Sequence, residues 1–182
     1  MKDIQNFYDN EKFFSEYQNM RKNQLNANDL IEIPIIKTML PNLEGKTILD
    51  LGCGAGGMSK YFVEQGAKRV VAVDISQNMI NVAKSQNCKN IDYRVLPMEN
   101  IGEINEKFDL VFSSLAFHYV EDFATLIKNI ASLLNEKGIL LFSQESPIAT
   151  AVKLEQGEKK YIEKDGKRYY LLSDYNDIQA EY

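Results

Sequence analysis

The residues that could do chemistry together are two acids and a set of glycines. Asp50 closes the apolar run Thr47-Ile48-Leu49-Asp50-Leu51, and Gly52, Gly54, Gly56 and Gly57 follow at tight spacing. Glycine at a strand-to-helix turn lets backbone approach a ligand, because no Cβ stands in the way. The helix that follows directs its free N–H groups and the positive end of its dipole at the same point. Asp74 ends the next apolar run, Arg69-Val70-Val71-Ala72-Val73-Asp74. That is about twenty residues on, as expected for an acid that accepts bonds from ribose hydroxyls. Gly52, Gly54 and Gly57 also satisfy the dinucleotide spacing G-x-G-x-x-G, which would suit a nicotinamide oxidoreductase. Asp50 opposes that reading. A carboxylate just before the first glycine disfavours a pyrophosphate, whereas it could hold an ammonium group. The ligand these residues describe is a nucleoside with a cationic tail.

Two further side chains carry chemistry of their own. His118 is the single histidine and the only ready general acid or base near neutral pH. The alternative is a ring packed under a sheet. Cys53 and Cys88 lack metal-ligand spacing and imply no disulfide framework. Cys53 reads as a small filler rather than a nucleophile, since only the helix end could lower its pKa. No metal site is expected.

The elements that position these residues fall into three zones. Residues 1–44 read as a helical N-terminal cap. Phe13, Phe14, Tyr17 and Met20 share one helix face, with Phe13 and Phe14 expected in the core, and Leu30, Ile31, Ile35 and Met39 share another, which Pro41 ends. Residues 45–145 alternate strands and helices, which implies a parallel sheet. The strands are expected near 46–51, 69–74, 91–95, 108–113 and 138–143. Gly66 should stop the first helix of this zone, and Ser76 should cap the second. A third helix is expected from about Asp122 to Leu134, with Phe123, Leu126, Ile127, Ile130 and Leu133 on its buried side. Residues 146–182 hold a hairpin pattern, 160–171, with Asp165-Gly166 as its turn. Its charged and aromatic composition suits a flap facing solvent.

Composition sets the background. A chain of 182 residues fits one domain with a real core, and 45% apolar and 26% charged residues are ordinary for a globule. The net charge of −5 and the isoelectric point near 5.0 disfavour a nucleic-acid partner. No run approaches the roughly 20 apolar residues of a membrane span. The N-terminus has no signal-peptide core. A cytoplasmic location is the expectation.

Ile48-Leu49-Asp50-Leu51-Gly52-Cys53-Gly54-Ala55-Gly56 resembles the first motif of class I S-adenosylmethionine (SAM) dependent methyltransferases. Val71-Ala72-Val73-Asp74-Ile75-Ser76 resembles their second-strand motif, and Phe108-Asp109-Leu110-Val111-Phe112-Ser113-Ser114 their fourth. The resemblance is firm over residues 45–145. It implies a Rossmann-like, doubly wound, mostly parallel α/β sheet with SAM as donor and S-adenosylhomocysteine as product. It implies that Gly52, Cys53, Gly54 and Gly56 form the cofactor turn, that Asp50 faces the methionine amino group, and that Asp74 holds the ribose diol. Ile75 and Met79 could sandwich the adenine, although Met79 could equally pack the second helix. Met98 or Glu99 would meet the adenine edge, with a first-turn acid as the alternative for Glu99. Ser114 and Leu115 would touch the cofactor. Phe13 to Arg21 resembles the helix that covers the cofactor in small-molecule members, so Tyr17 could bond the cofactor and Arg21 the methionine carboxylate. Ser146 stands where relatives often carry a histidine before proline.

The implied activity is methyl transfer to a small molecule by in-line displacement. The family sheet has seven strands, and the last two have no counterpart here. Strand 139–142 would then be an apolar edge. This leaves a second expectation, a SAM-binding but inactive fragment or assembly subunit, and suggests a homo-oligomer covering the edge.

Overall fold

A computed structural model describes residues 6–23, 28–146, 161–165 and 167–170. The chain divides into two compact units, residues 1–143 and 144–182.

The first unit is built on five parallel strands: β1 (Thr47–Leu51), β2 (Arg69–Asp74), β3 (Ile91–Val95), β4 (Phe108–Ser114) and β5 (Leu134–Ser143). Their order is β3-β2-β1-β4-β5. The central strands are continuous apolar runs because both faces are covered. Alternate residues go to opposite sides. Ile48, Val70, Ala72, Leu110 and Phe112 join Phe62 of α3 (Gly57–Glu64) and Ile80 of α4 (Gln77–Ser85) in one layer. Leu49, Val71, Val73 and Val111 join Leu126, Ile130 and Leu133 of α5 (Phe123–Leu133) in the other.

Caps mark the helix ends as the sequence suggests. Ser76 Oγ accepts from Met79 N–H at 3.2 Å, and Asp122 accepts from Thr125 N–H at 2.9 Å. Gly66, at φ +90°, follows the end of α3. At the amino ends of the strands, Asp109 takes the backbone N–H of Thr47 at 2.9 Å and Asn135 Nδ2 at 3.0 Å. The acid of the fourth-strand motif thus ties strand starts together, far from the glycine turn.

Three expectations are corrected. First, α5 stops at Leu133 and β5 begins at Leu134, because Leu134 already pairs with Phe108 before a register shift resumes at Leu110 and Ile139. Phe123 is exposed at the rim, with its ring 6.1 Å from Phe117 and 6.4 Å from Phe142. Second, the N-terminal region is α1 (Glu11–Asn23), a π-helical turn (Asn28–Glu32) and α2 (Ile33–Met39). Leu30, Ile31, Ile35 and Met39 do share a side, but it faces outward. Ile36 is the residue that packs into the core, beside Leu43 and Phe62. Third, Phe13 is exposed rather than core.

In the second unit the described residues from Tyr161 onward form one hairpin. Strands β6 (Tyr161–Lys164) and β7 (Lys167–Tyr170) pair antiparallel with Lys164 opposite Lys167. That register leaves a two-residue connection, with Asp165 at φ +52°, as an Asp-Gly hairpin turn requires.

Candidate functional site

The strand order reverses direction beside β1, so the crevice of a doubly wound sheet opens at the carboxyl ends of β1 and β4. The glycine turn lies there. Gly52, Gly54 and Gly56 have φ of +69°, +53° and +82°, a region that L side chains rarely adopt. The carbonyl of Val73 accepts from Gly52 N–H at 2.9 Å and Cys53 N–H at 3.0 Å, which fastens the turn to the end of β2. A Cβ on Gly52 would come within 2.6 Å of the Ala116 Cβ and 3.3 Å of Met98 Cε. One on Gly56 would meet the Tyr93 hydroxyl at 2.5 Å. One on Gly54 would point into open space. Two glycines are therefore demanded by packing, whereas a side chain on the middle one would meet no protein atom.

Asp74 is buried at the end of β2 and clamps the turn. Its two oxygens accept from Gly54 N–H and Ser76 N–H, each at 2.8 Å. Burial raises its pKa, against the pull of those two N–H bonds. Each oxygen keeps a lone pair for a further donor. Asp50 is buried more deeply, at 2% exposure, and accepts a short hydrogen bond from the Ser59 hydroxyl of α3. Burial pushes its carboxyl up to about 7, with the Ser59 bond opposing and the Asp74 charge adding. Cys53 beside it is held well above the ordinary thiol range, by burial and then by the Asp50 and Asp74 carboxylates.

The remaining expected residues divide by position. Ile75 is half-buried next to Asp74, while Met79 is 2% exposed, which is a packing position in α4. Met98 opens the 3-10 turn Met98–Glu103 and reaches the glycine turn. Glu99 is exposed in the first turn of that element. Ser114 ends β4, and Leu115 follows it with a left-handed φ of +49°. His118 lies in the 3-10 turn Phe117–Tyr119, half-buried rather than in the core, with its ring 4.2 Å from that of Tyr119. Tyr17 is half-buried on α1, and its ring is 5.1 Å from that of Tyr8. Arg21 belongs to α1, but its side chain lies outside the described residues.

Several site residues carried no signal in the sequence. Asp9 accepts from Ser76 Oγ at 2.6 Å and Asn78 N–H at 3.1 Å, so the segment before α1 is pinned to the start of α4. Burial raises the pKa of the neighbouring Tyr8, and the rings of Tyr119 and Tyr17 and the Asp74 charge add to it. Tyr8 therefore lies close to Asp74. Glu32 reaches the ends of β4 and β5. These contacts join residues 67 to 111 positions apart. Ser59 is an ordinary helix-surface type whose role depends on what lies beneath it.

A doubly wound sheet, left-handed glycines after its first strand and an acid closing the second define a nucleoside-binding α/β protein. The family described as a methyltransferase domain matches residues 49–142, just over half of the chain. The chain belongs to this family of SAM-dependent methyltransferases, and its cofactor is SAM. A protein of Haemophilus influenzae, itself uncharacterized, is 41% identical over 181 residues, which is 96% of this chain and 70% of that one. The malonyl-[acyl-carrier protein] O-methyltransferase of Acetivibrio thermocellus is 30% identical over 142 residues. That match covers 75% of this chain and 47% of the relative, so the chain spans about half of that protein. The crystal structure of an S-adenosylmethionine dependent methyltransferase from Mesorhizobium loti superposes with a TM-score of 0.72 at 32% identity, covering 82% of this chain and 66% of the other. Among the described residues no cluster could hold a metal ion, and no helix is long and apolar enough to cross a membrane.

Proposed function

We propose that this chain transfers the methyl group of SAM to a small-molecule acceptor by in-line displacement. The observation that carries the reading is the left-handed turn at Gly54, which borders open space, donates to Asp74 and follows the buried Asp50 of β1. Its chemistry fits SAM: one acid with free lone pairs for a diol, a second acid for an ammonium, and glycine backbone between them. Asp74 holds the ribose, Asp50 faces the amino group, and Ile75, Met98 and Glu99 border the adenine. Ser114, Leu115 and Tyr17 line the cofactor, with Arg21 assigned to the methionine carboxylate.

Bound SAM supplies a methyl group already activated on a sulfonium. The protein has to align the nucleophile and exclude water. A base is needed only where the acceptor must lose a proton, and His118 takes that role. The net charge of −5 supports a small acceptor over a nucleic acid.

Asp74→Ala tests the cofactor assignment. Each charged hydrogen bond lost costs about 1.5–3 kcal/mol, so affinity for SAM should fall by more than about tenfold in calorimetry. Binding of NAD in place of SAM would sink the reading. His118→Ala should spare SAM affinity and flatten the pH profile of methyl transfer; if it unfolds the protein, the ring is structural. A second reading, SAM binding without transfer, is favoured by the outer side of β5, which has no strand neighbour among the described residues. SAM affinity without labelled methyl reaching any acceptor would select it.

A further inference from the structure

We propose that Glu32, which bridges the carboxyl ends of β4 and β5, binds an ammonium group of the methyl acceptor, so that the acceptor is an amine-bearing small molecule. This rests on the transferase reading above and names the acceptor class.

Glu32 reaches from the start of α2 to the last residues of two strands. Its Oε1 accepts from the Ser114 hydroxyl at 2.7 Å and from the Ser143 hydroxyl. Ser114 and Ser143 are register partners, so the carboxylate bridges β4 and β5. The Ser143 hydroxyl also accepts from Leu115 N–H at 3.1 Å. Leu115 holds a left-handed φ of +49° without being glycine. Such strain persists where a site needs it.

The other oxygen, Oε2, is buried and has no hydrogen-bond partner. A carboxylate oxygen taken from water and left bare is costly. Two neutral hydroxyls on Oε1 do not cancel the charge. Among the described residues no Lys, Arg or His pairs with Glu32. The missing complement is a cation with N–H donors. An alcohol would leave the charge uncompensated.

The position fits an acceptor. Along the sheet, Asp74 ends β2, the glycine turn ends β1, and Glu32 bridges β4 and β5. Neighbouring strands are about 4.8 Å apart. The carboxylate therefore lies next to the glycine turn, on the side away from the ribose acid. The β2–β1 half of the rim, with Ser114 and Leu115 at its border, belongs to the cofactor, and the part beyond them at the ends of β4 and β5 is left for the acceptor.

The test uses the full chain saturated with SAM and matched probes: primary amines of graded size and the alcohols with the same carbon skeletons. Saturation-transfer NMR reads binding without turnover. Amines should bind about tenfold more tightly than their alcohols. Glu32→Gln should erase the difference while SAM affinity by calorimetry stays unchanged. Glu32→Asp, which keeps the charge, should restore part of the preference and so separates charge recognition from simple loosening of α2. Equal binding of amines and alcohols, binding of neither, or a preference that survives Glu32→Gln overturns the inference. Failure of the wild type to bind SAM would instead overturn the transferase reading.

Discussion

At the scale of single residues, two effects compete at the glycine turn. Gly52 and Gly56 face protein atoms, whereas Gly54 faces open space. Gly54→Ala should therefore cost only the left-handed penalty of about 1–2 kcal/mol. Gly52→Ala adds a collision with Ala116 and should lower the melting temperature considerably more. Thermal unfolding of both variants checks this, and equal losses would mean that φ alone governs the turn. Asp50 makes a second prediction. Its pKa in the fold is raised to about 7, above the ordinary 3.8. The folded state thus binds the proton more tightly than the unfolded chain. The penalty for charging Asp50 is absent below about pH 4, grows as pH rises and levels off above 7. Asp50→Asn should therefore stabilise the cofactor-free protein at pH 8 by a few kcal/mol and change little at pH 4. If the SAM ammonium faces Asp50, binding at pH 6 should also release a proton. Calorimetry in buffers of different ionisation enthalpy measures it, and Asp50→Asn should abolish the release.

At the scale of elements, the segment before α1 behaves as a strap over α4. Asp9 supplies acceptors to the free N–H groups of Asn78 and Gln77 and to the Ser76 hydroxyl. An acid at a helix N-terminus is well placed for both bonding and dipole. Burial pushes the Asp9 carboxyl up, but the bonds from Ser76, Asn78, Asn6 and Gln77 outweigh it and hold the pKa below the ordinary value. The attachment is thus present above about pH 4 and lost as pH falls through the lowered pKa. Asp9→Ala should speed hydrogen exchange at Asn78 while α4 itself persists, because Ser76 still caps Met79. Loss of α4 in that variant would show that Asp9, not Ser76, is the cap that matters.

At the scale of the molecule, β5 is the open question of the architecture. Ile139 is 45% and Phe142 37% exposed, and β4 is its strand neighbour among the described residues. Native proteins rarely leave an apolar strand edge open. The protein should self-associate through β5. Sedimentation at graded concentration detects it, and Ile139→Lys, at an exposed position, should suppress it. Slow exchange at Leu140 and Phe142 is then expected. Fast exchange in a folded monomer would show that the edge stands open.

The sequence by itself determined whatever is local along the chain. Four strands read directly: β1, β2 and β4 because a parallel strand covered on both faces is a mostly apolar run, and β3, at the sheet edge, because Ile91, Tyr93 and Val95 alternate with polar residues. The glycine turn and Asp74 read directly because the same short segment supplies both conformation and ligand chemistry. The start of β5 did not, since Asn135, Glu136 and Lys137 look like a loop. The outward face of α2 did not either. The spacing of Leu30, Ile31, Ile35 and Met39 says that they share a side, but which side meets the sheet depends on how the helix docks, and Ile36 won that place. Only the tertiary structure brought Asp9 to Ser76, Ser59 to Asp50 and Glu32 to Ser114 and Ser143. Those pairings are made across the chain by packing, and a carboxylate or hydroxyl far along the sequence carries no local mark of the partner that folding will give it.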